Sequence, residues 1–439
     1  MFLRRAVVVV AISVIATTFQ APAEAGRYTP RPGVTMNSAV GSEAKQRAIF
    51  GKIIRTIRST PRGHDIRIMS WNIQSKTAVD ALLRAQRRGV RVRVIMSRSN
   101  AAAIDNTSWA RLDRGLRRGN ANRRESRHSW GRLCSASCRG RSGAAHAKYF
   151  LFSRSGRARN VVIHGSANLT SASTNNQWND VYTTVNREGP YRFFGRIFSE
   201  MAKDRPVRRP YQSWSNGADR FFFFPGPRRG DPVMNLLDKV HCRGAVNTRS
   251  HRTRLQIAPD VLREERGMRL GRKLWQLWQS GCEVRVGYTI VGREIGQMMR
   301  RPGQRGRGVP MRHLVQDVNG DGMFDRYFHL KAMSIRGHVG RDRSNWVVLN
   351  GSSNWSGRGI RSDENLGLHW REGLVRRYEE YLGYWYSWSG FSNANRRSRY
   401  AMSARTTQVA VQEGRLVDGL LFGTGPINGV DPYANLDMD

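Results

Sequence analysis

Two short patterns of reactive residues recur in this 439-residue chain. His146-Ala147-Lys148 is matched 183 residues later by His329-Leu330-Lys331, and Gly165-Ser166-Ala167-Asn168 is matched 186 residues later by Gly351-Ser352-Ser353-Asn354. Side chains alternate along a strand, so a His two residues before a Lys puts both groups on one face. The glycine would let backbone approach a ligand closely, while Ser and Asn offer short polar groups to phosphate or carboxylate oxygens. Two copies facing each other across a pseudo-twofold supply two His, two Lys, two Asn and two Ser, a set suited to displacement at a phosphodiester. One neutral His attacks phosphorus and forms a phosphohistidine; the other, protonated, gives its proton to the leaving oxygen and then activates water. Lys148, Lys331, Asn168 and Asn354 stabilise the charged oxygens, and this scheme needs neither metal nor cofactor. A histidine used this way needs a carboxylate to fix its tautomer. Asp180 stands 34 residues after His146 and Asp363 stands 34 after His329; Glu364 beside it is the other register, and both acids are kept.

The elements that must position these groups also repeat. Ile66 to Met69 reads as a strand, Ala78 to Arg88 as an amphipathic helix and Gly89 to Val94 as a strand. Leu255 to Ile257, Met268 to Gln279 and Gly281 to Val286 follow the same order. Val161 to Ile163 and Trp346 to Leu349 run into the Gly-Ser-x-Asn motifs, and the aromatic-rich stretches Pro190 to Met201 and Glu372 to Trp388 close each half as helices. Landmarks repeating in one order imply two related α/β lobes. The expected division is a signal peptide at 1–25, a first lobe at 26–203, a linker at 204–219, a second lobe at 220–392 and a tail at 393–439 without an assigned role. Tyr378, Tyr381, Leu382, Trp385 and Trp388 fall at helical spacing and are expected to pack, and Phe221 to Phe224 is expected to be a buried strand.

Charge and export follow from composition. Lys and Arg number 74 against 33 Asp and Glu, a formal charge of +41. Hydrophobic residues at 39%, with 12 Trp and 16 Phe, supply a core and exclude a chain disordered by composition. Arg4 and Arg5, the apolar run from Ala6 to Ala16 and Ala23-Glu24-Ala25 have the order of a cleaved secretion signal. Removing it leaves +40, a field that attracts polyanions or an anionic membrane surface. Export makes the four cysteines candidates for two disulfides, expected as Cys134 with Cys138 and Cys242 with Cys282, each within one half; sequence leaves the other connectivities open.

The doubled His-x-Lys and Gly-Ser-x-Asn motifs resemble the phospholipase D superfamily, from about Ser42 to about Phe391. That resemblance implies two homologous α/β/α sandwich lobes about a pseudo-twofold, catalysis without metal, His146 as nucleophile and His329 as general acid. It also implies phosphate contacts from Lys148, Lys331, Asn168, Asn354, Ser166 and Ser352, with Gly165 and Gly351 in the same loops. The chain departs from the pattern five residues beyond each Lys, where the family carries Asp and this sequence has Ser153 and Arg336. The expectation is a secreted, monomeric phosphodiesterase that cleaves glycerophospholipids to phosphatidic acid and an alcohol, in peripheral contact with membrane. Its alternatives are a secreted nuclease of the same chemistry and an inactive polyanion binder. Asp317-Val318-Asn319-Gly320-Asp321-Gly322 with Asp325 resembles half of a calcium loop, but Phe328 occupies the twelfth position; it is read as a tight turn.

Overall fold

The computed structural model describes residues 28–102, 106–227, 230–391 and 404–436. The expected signal peptide lies outside the described residues. In the first half, strands form at Gly33–Met36 (β1), Asp65–Met69 (β2), Arg91–Ser97 (β3), Trp130–Cys134 (β4), Tyr149–Ser155 (β5), Ala158–Gly165 (β6) and Asp180–Thr184 (β7). They make a mixed sheet in the order β1-β7-β6-β5-β2-β3-β4. The second half adds Gln212–Ser215 (β8), Asp219–Phe223 (β9), Arg254–Ala258 (β10), Glu283–Tyr288 (β11), Met311–His313 (β12), Ala332–Val339 (β13), Asp342–Gly351 (β14) and Asn365–His369 (β15). Their order, β12-β11-β10-β13-β14-β15-β9-β8, repeats the first sheet and adds an edge strand. That edge strand occupies part of the stretch read as linker.

Local chemistry explains the repeated units. The helix Lys76–Arg87 starts where the Ser75 hydroxyl accepts the Ala78 N–H, and it buries Ala78, Val79, Leu82 and Leu83 on one stripe. Gly89 then turns the chain at φ +92°, a conformation that favours glycine, and β3 follows with buried Val92 and Val94 alternating with half-buried Arg91 and Arg93. Helices Ala48–Arg58, Lys76–Arg87 and Thr107–Arg118 cover one face of the first sheet, and Glu188–Met201 covers the other. In the second lobe Glu264–Gln279 and Arg293–Arg300 pack on one face and Glu372–Ser387 on the other. Both lobes are therefore α/β/α sandwiches.

The lobes share their cores. Phe221 and Phe223 of β9 pack with Phe193, Phe194 and Tyr149 of the first lobe. Tyr378, Leu382 and Trp385 pack with Trp178, as their helical spacing predicts. Both cysteine pairs form disulfides as expected, Cys134–Cys138 and Cys242–Cys282. Disulfides fit an oxidising compartment. Among the described residues no helix is long and apolar enough to cross a membrane. The tail is not idle: Leu421, Ile427 and Tyr433 form a cluster with Val261, Ile290 and Phe324 of the second lobe.

Candidate active site

The two His-x-Lys segments lie just before β5 and β13, in extended backbone that crosses to the opposite lobe. His146 N–H donates to the Asp363 carbonyl at 3.1 Å, and His329 N–H donates to the Trp178 carbonyl at 3.0 Å. The crossing brings both motifs together, with His146, Lys148, His329 and Lys331 all buried. Each lysine ammonium donates to the carbonyl of its own histidine, Lys148 at 2.6 Å and Lys331 at 3.0 Å.

The orienting groups are exchanged between lobes. His146 Nδ1 lies 2.7 Å from Glu364 Oε1, and His329 Nδ1 lies 2.8 Å from Asn179 Oδ1. Glu364 and Asn179 occupy matching positions, each held by the serine of its own lobe: Ser352 donates to Glu364 Oε2, and Ser166 donates to Asn179 Oδ1 at 2.9 Å. These two hydroxyls, expected on substrate, hold the orienting groups in this structure. At the two glycines the close neighbour in this structure is the chain itself. A Cβ on Gly165 would lie 2.1 Å from the Asp180 carbonyl oxygen, and one on Gly351 would lie 2.2 Å from that of Asn365.

Asp180 and Asp363 do not serve the histidines. Asp180 Oδ2 accepts the Tyr378 hydroxyl behind the site, and burial pushes its carboxyl up. Asp363 accepts the Cys138 N–H, tying the disulfide loop to the second lobe. Burial, opposed by Arg139 and by hydrogen bonds from Ser137 and Cys138, pushes the Asp363 carboxyl up to about 7. Its folded pKa lies above the unfolded one, so its contribution to stability is complete below about pH 4 and disappears as pH rises through about 7. Asp363→Asn is therefore expected to match the parent near pH 4 and to exceed it in unfolding free energy by about 4 kcal/mol above pH 8. Urea unfolding at the two pH values checks this; equal parent and variant at the higher pH would refute it.

Trp71 and Asp260 complete the surroundings, and neither was singled out from sequence. Both stand two residues past the first repeated strand, after Met69 and Ala258. Trp71 packs edge-on to His146 at 5.3 Å between centroids, with the Lys148 ammonium 5.5 Å from its ring. Asp260 pairs with Lys331 at 2.7 Å and lies 4.0 Å from His329 Nε2. Extending the internal alignment beyond the strands would have found this pair. Buried Arg266 holds the second Gly-Ser-x-Asn turn, donating to the Asn354 carbonyl at 2.7 Å and pairing with Asp231. Asn168 faces Ser70, whose hydroxyl lies 3.4 Å from its Oδ1.

The electrostatics favour neutral imidazoles before substrate arrives. Burial, then the charges of Lys148, Lys331 and Arg358, hold His146 well below the usual histidine range. Burial, then Lys331, Lys148 and His146, do the same to His329. Ser153 and Arg336 sit within β5 and β13. Ser153 accepts the Asp65 N–H at 2.9 Å, and Arg336 pairs with Glu379 at 3.3 Å. The calcium-like turn is closed by its own side chains, Asp317 accepting the Gly320 and Gly322 N–H groups. Among the described residues no group of three or more His, Cys, Asp or Glu is arranged around a common metal position.

Residues 53–201 match the family described as cardiolipin synthase, PLD-like domain. No curated protein matches the chain in sequence. Two solved structures share its fold. Polyphosphate kinase from Porphyromonas gingivalis superposes with a TM-score of 0.53 at 14% identity over 87% of this chain, which spans only 55% of the kinase. Phosphatidylserine synthase from Haemophilus influenzae Rd KW20 superposes with a TM-score of 0.51 at 13% identity, covering 89% of this chain and 98% of the synthase. Over both lobes the chain shares the fold of these two structures, and by sequence residues 53–201 match the PLD-like family. Its members act on phosphodiesters and related phosphoryl compounds.

Proposed function

We propose that the chain is a secreted phosphodiester hydrolase working through a phosphohistidine on His146. The observation that carries this reading is the 2.7 Å contact of His146 Nδ1 with Glu364 Oε1 inside a buried pocket of two His and two Lys. A carboxylate at Nδ1 keeps the proton there and leaves the Nε2 lone pair to attack phosphorus. The new N–P bond forms as the P–O bond to the leaving group breaks, and the leaving oxygen takes a proton from His329 Nε2. The entering phosphodiester anion offsets the lysine charge that holds His329 neutral, and Asp260 nearby favours its protonated form. His329 then takes a proton from water, whose oxygen attacks phosphorus and breaks the N–P bond. Lys148, Lys331, Asn168 and Asn354 hold the non-bridging oxygens. This scheme needs no metal.

The substrate class favoured by charge is nucleic acid, since a formal +41 draws phosphate polymers from solution. Glycerophospholipid is the second reading, favoured by a family description that names cardiolipin synthase. The purified chain should nick plasmid DNA in EDTA, and His146→Ala should abolish it. Choline release from phosphatidylcholine vesicles, without nicking, would establish the lipid reading instead. Turnover of neither would overturn both.

A further inference from the structure

Each lobe carries an arginine-lined cavity at the end of its sheet away from the histidines. In the first lobe the catalytic segment leads into β5 beside the C-terminal end of β2, where Tyr149 pairs with Met69. A cavity of about 480 Å³ opens at the other end, around Gly63 and Gly89. Its cationic lining is Arg62, Arg87, Arg88, Arg123, Arg124 and Arg127, and no acidic side chain lines it. In the second lobe the catalytic segment meets the C-terminal end of β10, where Ala332 pairs with Ala258. A cavity of about 330 Å³ opens toward the N-terminal end of that strand, lined by Arg254, Arg285, Arg305 and Arg307 with Glu283 and Trp278. The loop that supplies Arg123 to Arg127 follows the helix Thr107–Arg118, and the loop that supplies Arg305 to Arg307 follows the helix Arg293–Arg300, so corresponding loops of the internal repeat flank the two cavities.

Both cavities are built and both carry an excess of positive charge, although in the second Arg254 pairs with Glu283 at 2.9 Å. Arg88 donates to the carbonyls of Ile57 and Arg58, and Arg123 donates to those of Val90 and Gln86. Arg127 shares a single carboxylate, Asp65, with Arg67, Arg91 and Arg93. Arg305 donates to the carbonyls of Trp278 and Cys282 while its guanidinium lies 3.6 Å from the Trp278 ring centroid. Burial, then a neighbouring arginine, lowers the pKa of Arg123 and of Arg305; an arginine stays charged, so a bound anion would offset both the lost hydration and the like-charge repulsion. Arg62, Arg87, Arg124, Arg285 and Arg307 remain exposed around these anchored groups. The ring of Trp278 carries Arg305 at 3.6 Å, and no aromatic side chain lines the first cavity, so positive charge dominates both linings and favours phosphates over bases.

We infer that these two cavities are sites for the phosphate backbone of a nucleic acid, separate from the catalytic pocket and indifferent to base sequence. The inference shares with the proposed function only its substrate class, and its test requires no turnover. The full-length chain carrying His146→Ala is titrated with a fluorescent single-stranded oligonucleotide at several salt concentrations. Adding Arg62→Gln, Arg87→Gln and Arg124→Gln should weaken binding about 100-fold near 0.1 M salt and reduce the slope of log K against log salt by about 2, from three lost phosphate contacts. Arg285→Gln with Arg307→Gln should act in the same direction. Arg192→Gln, Arg272→Gln and Arg341→Gln remove the same charge elsewhere and should have several-fold smaller effects. Inorganic polyphosphate should compete, and unchanged thermal melting establishes that the variants fold. Equal losses in the two triple variants, binding untouched by the cavity substitutions, or loss of vesicle binding alone would each overturn the site. Tight binding by a chain that never nicks DNA would leave the site standing and remove the nuclease reading.

Discussion

Glu364→Gln is expected to lower kcat by about 10²- to 10⁴-fold with little change in KM, the range over which positioned acid–base partners act. Gln keeps the volume and an oxygen that can accept the His146 N–H, so the packing around Ser352 survives while the negative charge is lost. That charge matters most as the imidazole acquires positive character on bonding to phosphorus, which places the loss in the transition state and not in substrate binding. Asp363→Asn, one residue away, is expected to retain parental kcat, because Asp363 faces the Cys138 N–H and not an imidazole. Steady-state kinetics on bis-para-nitrophenyl phosphate, with thermal melting of each variant, checks the pair. Parental turnover in Glu364→Gln would refute the assignment, as would a matching loss in Asp363→Asn.

The contrast between these neighbours shows how far the sequence could be read. The doubled motifs, the lobes and the helices were legible because each signal is local: a period of two on strands, a period near four on helices, and the same order twice. The exchange of orienting groups was not, because it depends on how the lobes meet. Spacing selected Asp180 and Asp363, with Glu364 kept as the other register; the matching positions are Asn179 and Glu364, one residue before Asp180 and one after Asp363. On extended chain a single-residue step turns a side chain to the opposite face, which sends Asp180 to Tyr378 and Asp363 to the disulfide loop. Asn179 was invisible for a second reason: a search for carboxylates passes over an amide that fixes a tautomer equally well. For Gly165 and Gly351 the sequence could not separate an approaching ligand from an approaching strand, since both place the same demand on a glycine.

His329→Ala is expected to stop turnover while leaving the first chemical step, provided the leaving group needs no proton. With bis-para-nitrophenyl phosphate the leaving phenolate is stable unprotonated, so His146 Nε2 can still displace it. Without His329 to activate water, the N–P bond then persists. The expected result is a burst of one nitrophenolate per protein molecule and an acid-labile phosphoryl adduct mapped to His146 by mass spectrometry. The burst rate should be flat from about pH 6 to pH 9, because burial and the flanking lysines already hold His146 neutral there. His146→Ala should give neither burst nor adduct. An adduct on His329 in His146→Ala would reverse the two roles, and its mechanistic meaning would be specific: the neutral Asn179 would then orient the nucleophile, and Glu364 would support the acid. No adduct in either variant would remove the covalent path and leave direct attack by water, for which a carboxylate clamped to only one of two equivalent histidines provides no evident reason.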